Sequence, residues 1–448
     1  MSGDGLFGWL LAAALVGWSL WGARRTRNAR REEWESAARQ CELVTVGGGT
    51  FRTGPSHPQP DLRVHLSDWT ADDRTIGTLL VVEAMDREII TVSLQAETPA
   101  TARAKRRGAR EIETGDDAFD DDFYVSGPST PVRAVLDGET RRLLTALHAD
   151  VGLTVDGGLL RGGVRDRNVG ATLSATLPIV LTAAHRLRRP PDISAALARN
   201  VRSDPEPRVR LENLLALARE YPESEVTTAA LRAACDDANE EVRVRAATAL
   251  GEEGRRTLLE IAKMEHTEDQ PAARAVIGLG DHLSAEDTRA ILAHALRTRR
   301  IQTARACVSS LGRRSEADAI PVLARVLAVE KGEVAVAAAQ ALAETGLPEA
   351  EAPLLAALVR EIAEVRAAAA EALGRVGSAA GVLPLKETEA RDPDDATRRA
   401  ARQAVAAIQA RLPGASPGQL SLAATEAGAL SLAEDETGRL SLDNGKKG

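Results

Sequence analysis

Apolar residues return at helical spacing through the second half of this chain, and the pattern itself repeats. In Ala352–Ile362 the apolar positions are Leu354, Leu355, Leu358, Val359 and Ile362. In Glu364–Gly377 they are Val365, Ala368, Ala369, Ala372, Leu373 and Val376. Both sets keep a 3.6-residue period, and a short polar link between them predicts an antiparallel helical hairpin. Leu217, Leu250, Leu279, Leu311, Leu342, Leu373 and Ile408 each sit late in an Ala-rich, Arg-bearing segment, at steps of 29 to 35 residues. A period of that size means stacked supersecondary units. One hairpin cannot bury its apolar face alone, but a stack of them can. The expected fold is mainly α, an α-solenoid of about seven helical hairpins over residues 190–412.

The wording of the units recurs as well. Glu241–Gly254 reads EVRVRAATALGEEG and Glu364–Gly377 reads EVRAAAAEALGRVG. These segments resemble the short HEAT-like repeats of the phycobilisome-lyase type. The match lies at Val242, Arg243, Ala246, Ala247, Leu250 and Gly251, and at Val365, Arg366, Ala369, Ala370, Leu373 and Gly374. It weakens around Arg274–Gly280 and Thr303–Gly312 and degenerates in the end units, where caps must face water. The resemblance implies an architecture and is nearly silent on activity. Lyases with this repeat type bind tetrapyrroles, but a membrane anchor and a mixed domain are not part of their pattern, so bilin-lyase activity is not expected.

Other segments follow other patterns. Leu6–Gly22 is an uncharged run with Trp9, Trp18 and Trp21 near its ends. At 1.5 Å per residue it spans roughly 26 Å, close to a bilayer's hydrocarbon core. Arg24, Arg25, Arg27, Arg30 and Arg31 follow at once, against only Asp4 before it. A cleaved signal peptide has its positive charge on the other side of the run. Residues 1–23 therefore read as a transmembrane anchor. Residues 24–40 read as a basic, helical juxtamembrane segment whose arginines can face lipid head groups. The positive-inside rule puts the bulk of the chain in the cytoplasm, at the inner membrane of a bacterium.

Residues 41–189 change to a mixed pattern. Val44–Val46, Leu62–Leu66, Thr78–Ala84 and Ile89–Leu94 are short β-branched or alternating runs. Val151–Val164 reads as a hairpin across Asp156-Gly157-Gly158, and Thr140–Ala149 and Ala171–Leu187 read as helices. An α+β domain of unknown function is expected. Inside it, Ile112–Val125 reads IETGDDAFDDDFYV. Gly115, Asp116, Phe119, Asp120 and Phe123 resemble the G-D-x-x-F-D-x-x-F motif of a family of uncharacterised bacterial membrane proteins, a likeness that brings no activity. Residues 413–448 carry Leu-Ser-Leu three times, ten residues apart, and read as a tail that is mostly disordered when free.

Composition narrows the chemistry. Acidic residues (65) slightly outnumber basic ones (57), and aromatics are 2% of the chain. That excludes general nucleic-acid binding by the whole chain. Lysine is rare beside arginine, as in GC-rich bacterial genomes. Cys41, Cys235 and Cys307 are scattered, with no C-x-x-C, so a reducing compartment is the simpler reading and Cys235 and Cys307 read as core thiols. The seven histidines form no H-E-x-x-H or zinc spacing, Gly47-Gly48-Gly49 is not followed by a phosphate-loop lysine, and no nucleophile elbow occurs. Asp116, Asp117, Asp120, Asp121 and Asp122 lack calcium-loop spacing and read as a solvated turn entering a strand. Arg103, Lys105, Arg106, Arg107 and Arg110 read as a solvated basic loop that could also dock on lipid. Asp392 and Pro393 read as the cap and first position of a helix.

Neither catalytic nor cofactor or metal residues emerge. The arginines after the repeat valines, Arg210, Arg243 and Arg366, are candidate repeat-surface groups, with salt bridging between repeats as the commoner role. The expected function is a membrane-anchored, non-enzymatic scaffold that presents its solenoid to a protein partner. The alternative is an enzyme or small-ligand sensor with its site near Asp116–Phe123. A deep pocket of polar side chains near Asp116 would favour that alternative, and an exposed repeat surface without one would favour the scaffold.

Overall fold

The computed structural model describes residues 25–71, 74–84, 92–108, 110–165 and 168–411, and two short strands at Leu420–Leu422 and Leu430–Leu432. The expected anchor, Leu6–Gly22, and Arg24 lie outside the described residues. Among the described residues no helix is long and apolar enough to cross a membrane. The chain is mainly helical with an antiparallel sheet domain, and it divides at Ala246/Ala247 into two compact units.

Among the described residues the first unit has eight strands: β1 (Leu43–Gly47), β2 (Thr50–Thr53), β3 (Leu62–Ala71), β4 (Arg74–Ala84), β5 (Ser93–Ala96), β6 (Phe123–Ser126), β7 (Thr154–Asp156) and β8 (Leu159–Val164). They pair antiparallel throughout, in the order β1-β2-β3-β4-β8-β7-β5-β6. The alternating runs of the sequence become β1, β3 and β4, and Asp156-Gly157-Gly158 turns β7 into β8. Residues 89–91 of the fourth run lie outside the described residues, and its end is β5.

Helix α1 (residues 25–40) is more than a flank of the expected anchor. Trp34, Ala37 and Ala38 are buried in the sheet's core, and the Trp34 indole N–H donates to Thr78 Oγ1 at 3.1 Å. The short α2 (Pro99–Arg106), α3 (Asp117–Asp122) and α4 (Ser129–Val135) precede α5 (Gly138–Val151) and α6 (Val169–Arg186), which packs on β3, β4 and β8. Leu173, Leu177, Val180, Leu181 and Ala184, at helical spacing, close the core. The unit continues past Arg189 through α7 (Ile193–Ser203), α8 (Pro207–Glu220) and α9 (Glu225–Ala234) into α10 (Glu240–Leu250). Helix α4 packs against both α7 and α8.

Among its described residues the second unit has five hairpins: α11 (Arg255–Lys263) with α12 (Asp269–Leu279), α13 (Ala285–Thr298) with α14 (Ile301–Arg313), α15 (Ile320–Val329) with α16 (Gly332–Glu344), α17 (Glu351–Ala357) with α18 (Ala363–Val376), and α19 (Val382–Arg391) with α20 (Asp395–Arg411). The second helices α12, α14, α16, α18 and α20 lie side by side. Their buried stripes are Ala-rich, so the backbones come close. A Cβ on Gly312 of α14 would sit 2.7 Å from the Ala341 carbonyl oxygen of α16, which glycine alone avoids. Val365, Ala369 and Leu373 of α18 are fully buried, as their spacing requires. Val359 departs from its stripe: α17 ends at Ala357, and Val359, beyond the end, is 86% exposed.

Candidate functional site: the repeat arginines and the second-helix face

Each V-R arginine works inside the repeat stack. Arg210 donates from Nε and Nη2 to the two carboxylate oxygens of Asp237, at 2.8 and 2.7 Å, and from Nη1 to the carbonyls of Asp204 and Pro205 at 2.9 and 3.1 Å. Arg366 repeats the geometry with Asp392, at 2.7 and 2.8 Å, and with the carbonyls of Arg360 and Glu361, both at 2.9 Å. Arg243 reaches the carbonyl of Asp237 at 2.7 Å, and Arg398 that of Asp392 at 2.6 Å. Each of these aspartates therefore joins two arginines, one to its side chain and one to its backbone. Its Oδ1 also accepts the N–H two residues on, as in an Asx turn: Asn239 for Asp237 at 2.8 Å and Asp394 for Asp392 at 2.9 Å.

Charge-assisted, forked bonds of this kind are among the stronger polar links in proteins. They hold the Asp392 carboxyl below its ordinary range, chiefly through the bonds from Arg366. For Asp237, burial pushes the carboxyl up, and the bonds from Arg210 and Asn239 N more than offset it. Arg210 and Arg366 have only 11% side-chain exposure. As repeat-surface groups for a partner they are poorly placed; they tie one hairpin to the next. The expectation that Asp392 caps a helix is also corrected. Asp394 takes that role, accepting from Thr397 N at 2.7 Å, because Arg366 and Asp394 N occupy Asp392.

The same device extends into the sheet-bearing part of the first unit. Arg141 of α5 is 1% exposed. It donates to both oxygens of Asp204 at 3.0 Å, to Asp116 Oδ2 at 2.8 Å and to the carbonyl of Leu136 at 2.8 Å. Asp204 lies in the α7–α8 turn, so the sheet domain and the first hairpin share one buried ion cluster. The acidic motif surrounds it. Asp116 Oδ1 caps α3 through Phe119 N, and Asp120 accepts from Thr114 N, Thr114 Oγ1 and Gly115 N. Asp117 and Glu113 both pair with Arg208, at 2.8 and 3.0 Å. Gly115, at φ +95°, lies against Arg208 and Val209, where an added Cβ would come within 2.8 Å of backbone. Phe119 and Phe123 are buried with ring centroids 4.7 Å apart.

Asp116, Asp117 and Asp120 thus serve caps, turns and the joint to α8, while Asp121 and Asp122 are exposed. Among the described residues no group of three or more His, Cys, Asp or Glu side chains is arranged to hold a metal. Cys307 is fully buried, and burial pushes its thiol up to about 12; Cys41 is buried as well, whereas Cys235, at the end of α9, is half-buried.

Of the candidate lipid-facing arginines among the described residues, Arg30 and Arg27 turn toward Asp68 of β3, at 2.6 and 3.9 Å, and Arg25 and Arg31 lie exposed on α1. Arg103, Arg106, Arg107 and Arg110 are exposed in and just after α2.

Each second helix of α12 to α18 leaves one stripe open to solvent. Gln270 and Ile277 are exposed on α12, Gln302 and Arg305 on α14, Glu333, Gln340 and Glu344 on α16, and Glu364, Glu371 and Arg375 on α18. Val336 and Ala367 are half-buried between them. A cleft of about 620 Å³ lies among α14, α16 and α18, with Val336 and Ala337 on its floor and Arg305, Glu333, Gln340 and Glu364 around it.

Residues 329–406, from the end of α15 through most of α20, match the family model of HEAT repeats. This segment carries HEAT repeats. Two of the solved structures that resemble the chain illustrate the likeness. One is human deoxyhypusine hydroxylase in complex with glycerol, at 18% identity and a TM-score of 0.22, covering 48% of this chain and 96% of that one. The other is an engineered protein, at 20% identity and a TM-score of 0.26, covering 45% and 97%. At those scores neither likeness bears on function. Comparison with curated proteins gives no match.

Proposed function

We propose that this HEAT-repeat chain is a protein-interaction scaffold that holds a partner on its second-helix face beside a membrane. The observation that carries the reading is the division of labour in the repeats. Side chains that could serve elsewhere as ligands, including Arg210 and Arg366, are used up between hairpins. The outward stripe of α12 to α18 is polar, regular and spread across successive helices, the extended kind of surface that repeat arrays offer to partners. The motif near Asp116 supports the same reading, since its polar groups serve the joint to α8.

The tether is Leu6–Gly22, with the basic residues after it setting a cytoplasmic orientation. A chain lacking residues 1–23 should leave the membrane fraction. A reporter fused after Gly448 should be active on the cytoplasmic side, and activity on the opposite side would overturn the assignment. For the scaffold itself, full-length protein should capture a defined partner. Ile277→Arg with Ala367→Arg should abolish that capture while leaving the melting temperature unchanged. Capture that survives this change, but is lost on substitutions in the first helices, would sink the reading.

A further inference from the structure

We infer that the second-helix face across α16 and α18 takes a basic, extended segment of the partner, an inference that rests on the scaffold reading above. The cleft among α14, α16 and α18 has a small apolar floor, Val336 and Ala337, and a polar rim of Arg305, Glu333, Gln340 and Glu364. A floor of that kind accepts the methylene stem of an arginine or lysine while its charged head reaches the rim.

The charges set the sign of the occupant. The outward stripes of α16 and α18 hold four carboxylates, Glu333, Glu344, Glu364 and Glu371, against one cation, Arg375. Glu333 is already held by Arg305 at 2.8 Å, which fixes one side of the rim. Glu344, Glu364 and Glu371 form no salt bridge among the described residues and are exposed. The neighbouring stripes are basic, with Arg305 and Arg313 on α14 and Arg399 on α20. The acidic face is therefore two helices wide and bounded on both sides. An anionic ligand or an acidic peptide meets three like charges without a salt-bridge partner there, whereas a cationic segment meets complementary ones.

Spacing sets the form of the occupant. Packed helices lie about 8–10 Å apart, so Glu333 and Glu364, at matching positions on α16 and α18, stand on that grid. Glu364 and Glu371 are seven residues apart on one helix, a rise of about 10.5 Å. Carboxylates on a grid of about 10 Å are too far apart to share one metal ion. They match a chain extended as a polyproline II helix with a cation at every third residue, which keeps the cations on one side at about 9 Å per step.

The test uses the full-length chain in detergent and a fluorescein-labelled peptide repeating Arg-Ala-Ser, read by anisotropy. Wild type should bind this probe and not the matching Glu-Ala-Ser peptide, and binding should weaken as salt rises. Glu344→Gln, Glu364→Gln and Glu371→Gln together should weaken binding by about tenfold or more, which is about 1.4 kcal/mol. A second triple, Glu316→Gln, Glu349→Gln and Glu387→Gln, removes the same charge from exposed sites elsewhere and should bind as wild type does. No binding by wild type, or equal weakening in both triples, would overturn the inference. Partner capture that is lost in Ile277→Arg/Ala367→Arg but untouched by the first triple would leave the scaffold standing and reject a basic occupant alone.

Discussion

Arg141 shows what one residue can decide. Its guanidinium is almost wholly excluded from water, as is the Asp204 carboxylate it holds, with side-chain exposures of 2% and 0%. Removing one member of such a pair leaves the other as an unpaired buried charge. Arg141→Met should therefore cost about 3–5 kcal/mol, and adding Asp204→Leu should return part of that loss, giving a measurable coupling in a double-mutant cycle. Arg366 with Asp392 makes a different prediction, on pH. The folded Asp392 carboxyl titrates below the ordinary 3.8 of an aspartate. Its contribution is therefore complete above that value and is lost as pH falls through the folded one. Wild type and Arg366→Met should differ most in denaturant midpoint near neutral pH, and the gap should close below about pH 4. A gap independent of pH would mean that the arginine acts through its carbonyl bonds alone.

At the scale of the element, the helical period located the second helices well, because a helix with neighbours on three sides has only one stripe open to water. Leu373 is fully buried and Glu371, two residues earlier, is exposed. Leu373→Ala should cost about 2–5 kcal/mol and Glu371→Ala no more than about 0.5 kcal/mol, measured by chemical unfolding. The first helices were less legible: α17 stops at Ala357, so an apolar residue that continues its period, Val359, ends in solvent. The arginine partners were legible in principle. Asp204, Asp237 and Asp392 each stand six residues before an arginine, at Arg210, Arg243 and Arg398, a spacing that apolar periodicity does not register. The acidic motif was legible in part: Asp117, Asp121 and Asp122 are exposed and the run enters β6, whereas Arg141, which holds Asp116, comes from a distant segment that no local pattern reveals. Gly115→Ala should cost more than about 1 kcal/mol, because φ is positive and the α8 backbone blocks the new methyl. Gly157→Ala, at φ +57° with open space, should cost less.

On the scale of the whole molecule, the change of pattern near Arg189 marks a change of secondary structure inside one compact unit. Helix α7 packs on α4, and Asn200 of α7 donates to the Arg133 carbonyl at 3.0 Å. Arg133 pairs with Glu212 of α8 at 3.1 Å, and Arg141 reaches Asp204. End repeats of a linear array need a cover for the face that has no neighbour, and the sheet domain supplies it to α7 and α8. A cut at Arg189/Pro190 would strip that cover, leave Asn200 without the Arg133 carbonyl and leave Asp204 without its arginine. The fragment 190–412 should therefore unfold at lower denaturant than the chain 25–412, with the loss concentrated in α7 and α8. Hydrogen exchange resolves this: amides of α7 and α8 should lose protection in the fragment, while those of α16 and α18 keep theirs, because coupling in a repeat array runs between neighbours. Equal protection in both chains would show that the sheet domain is a passenger on the repeats and not their cap.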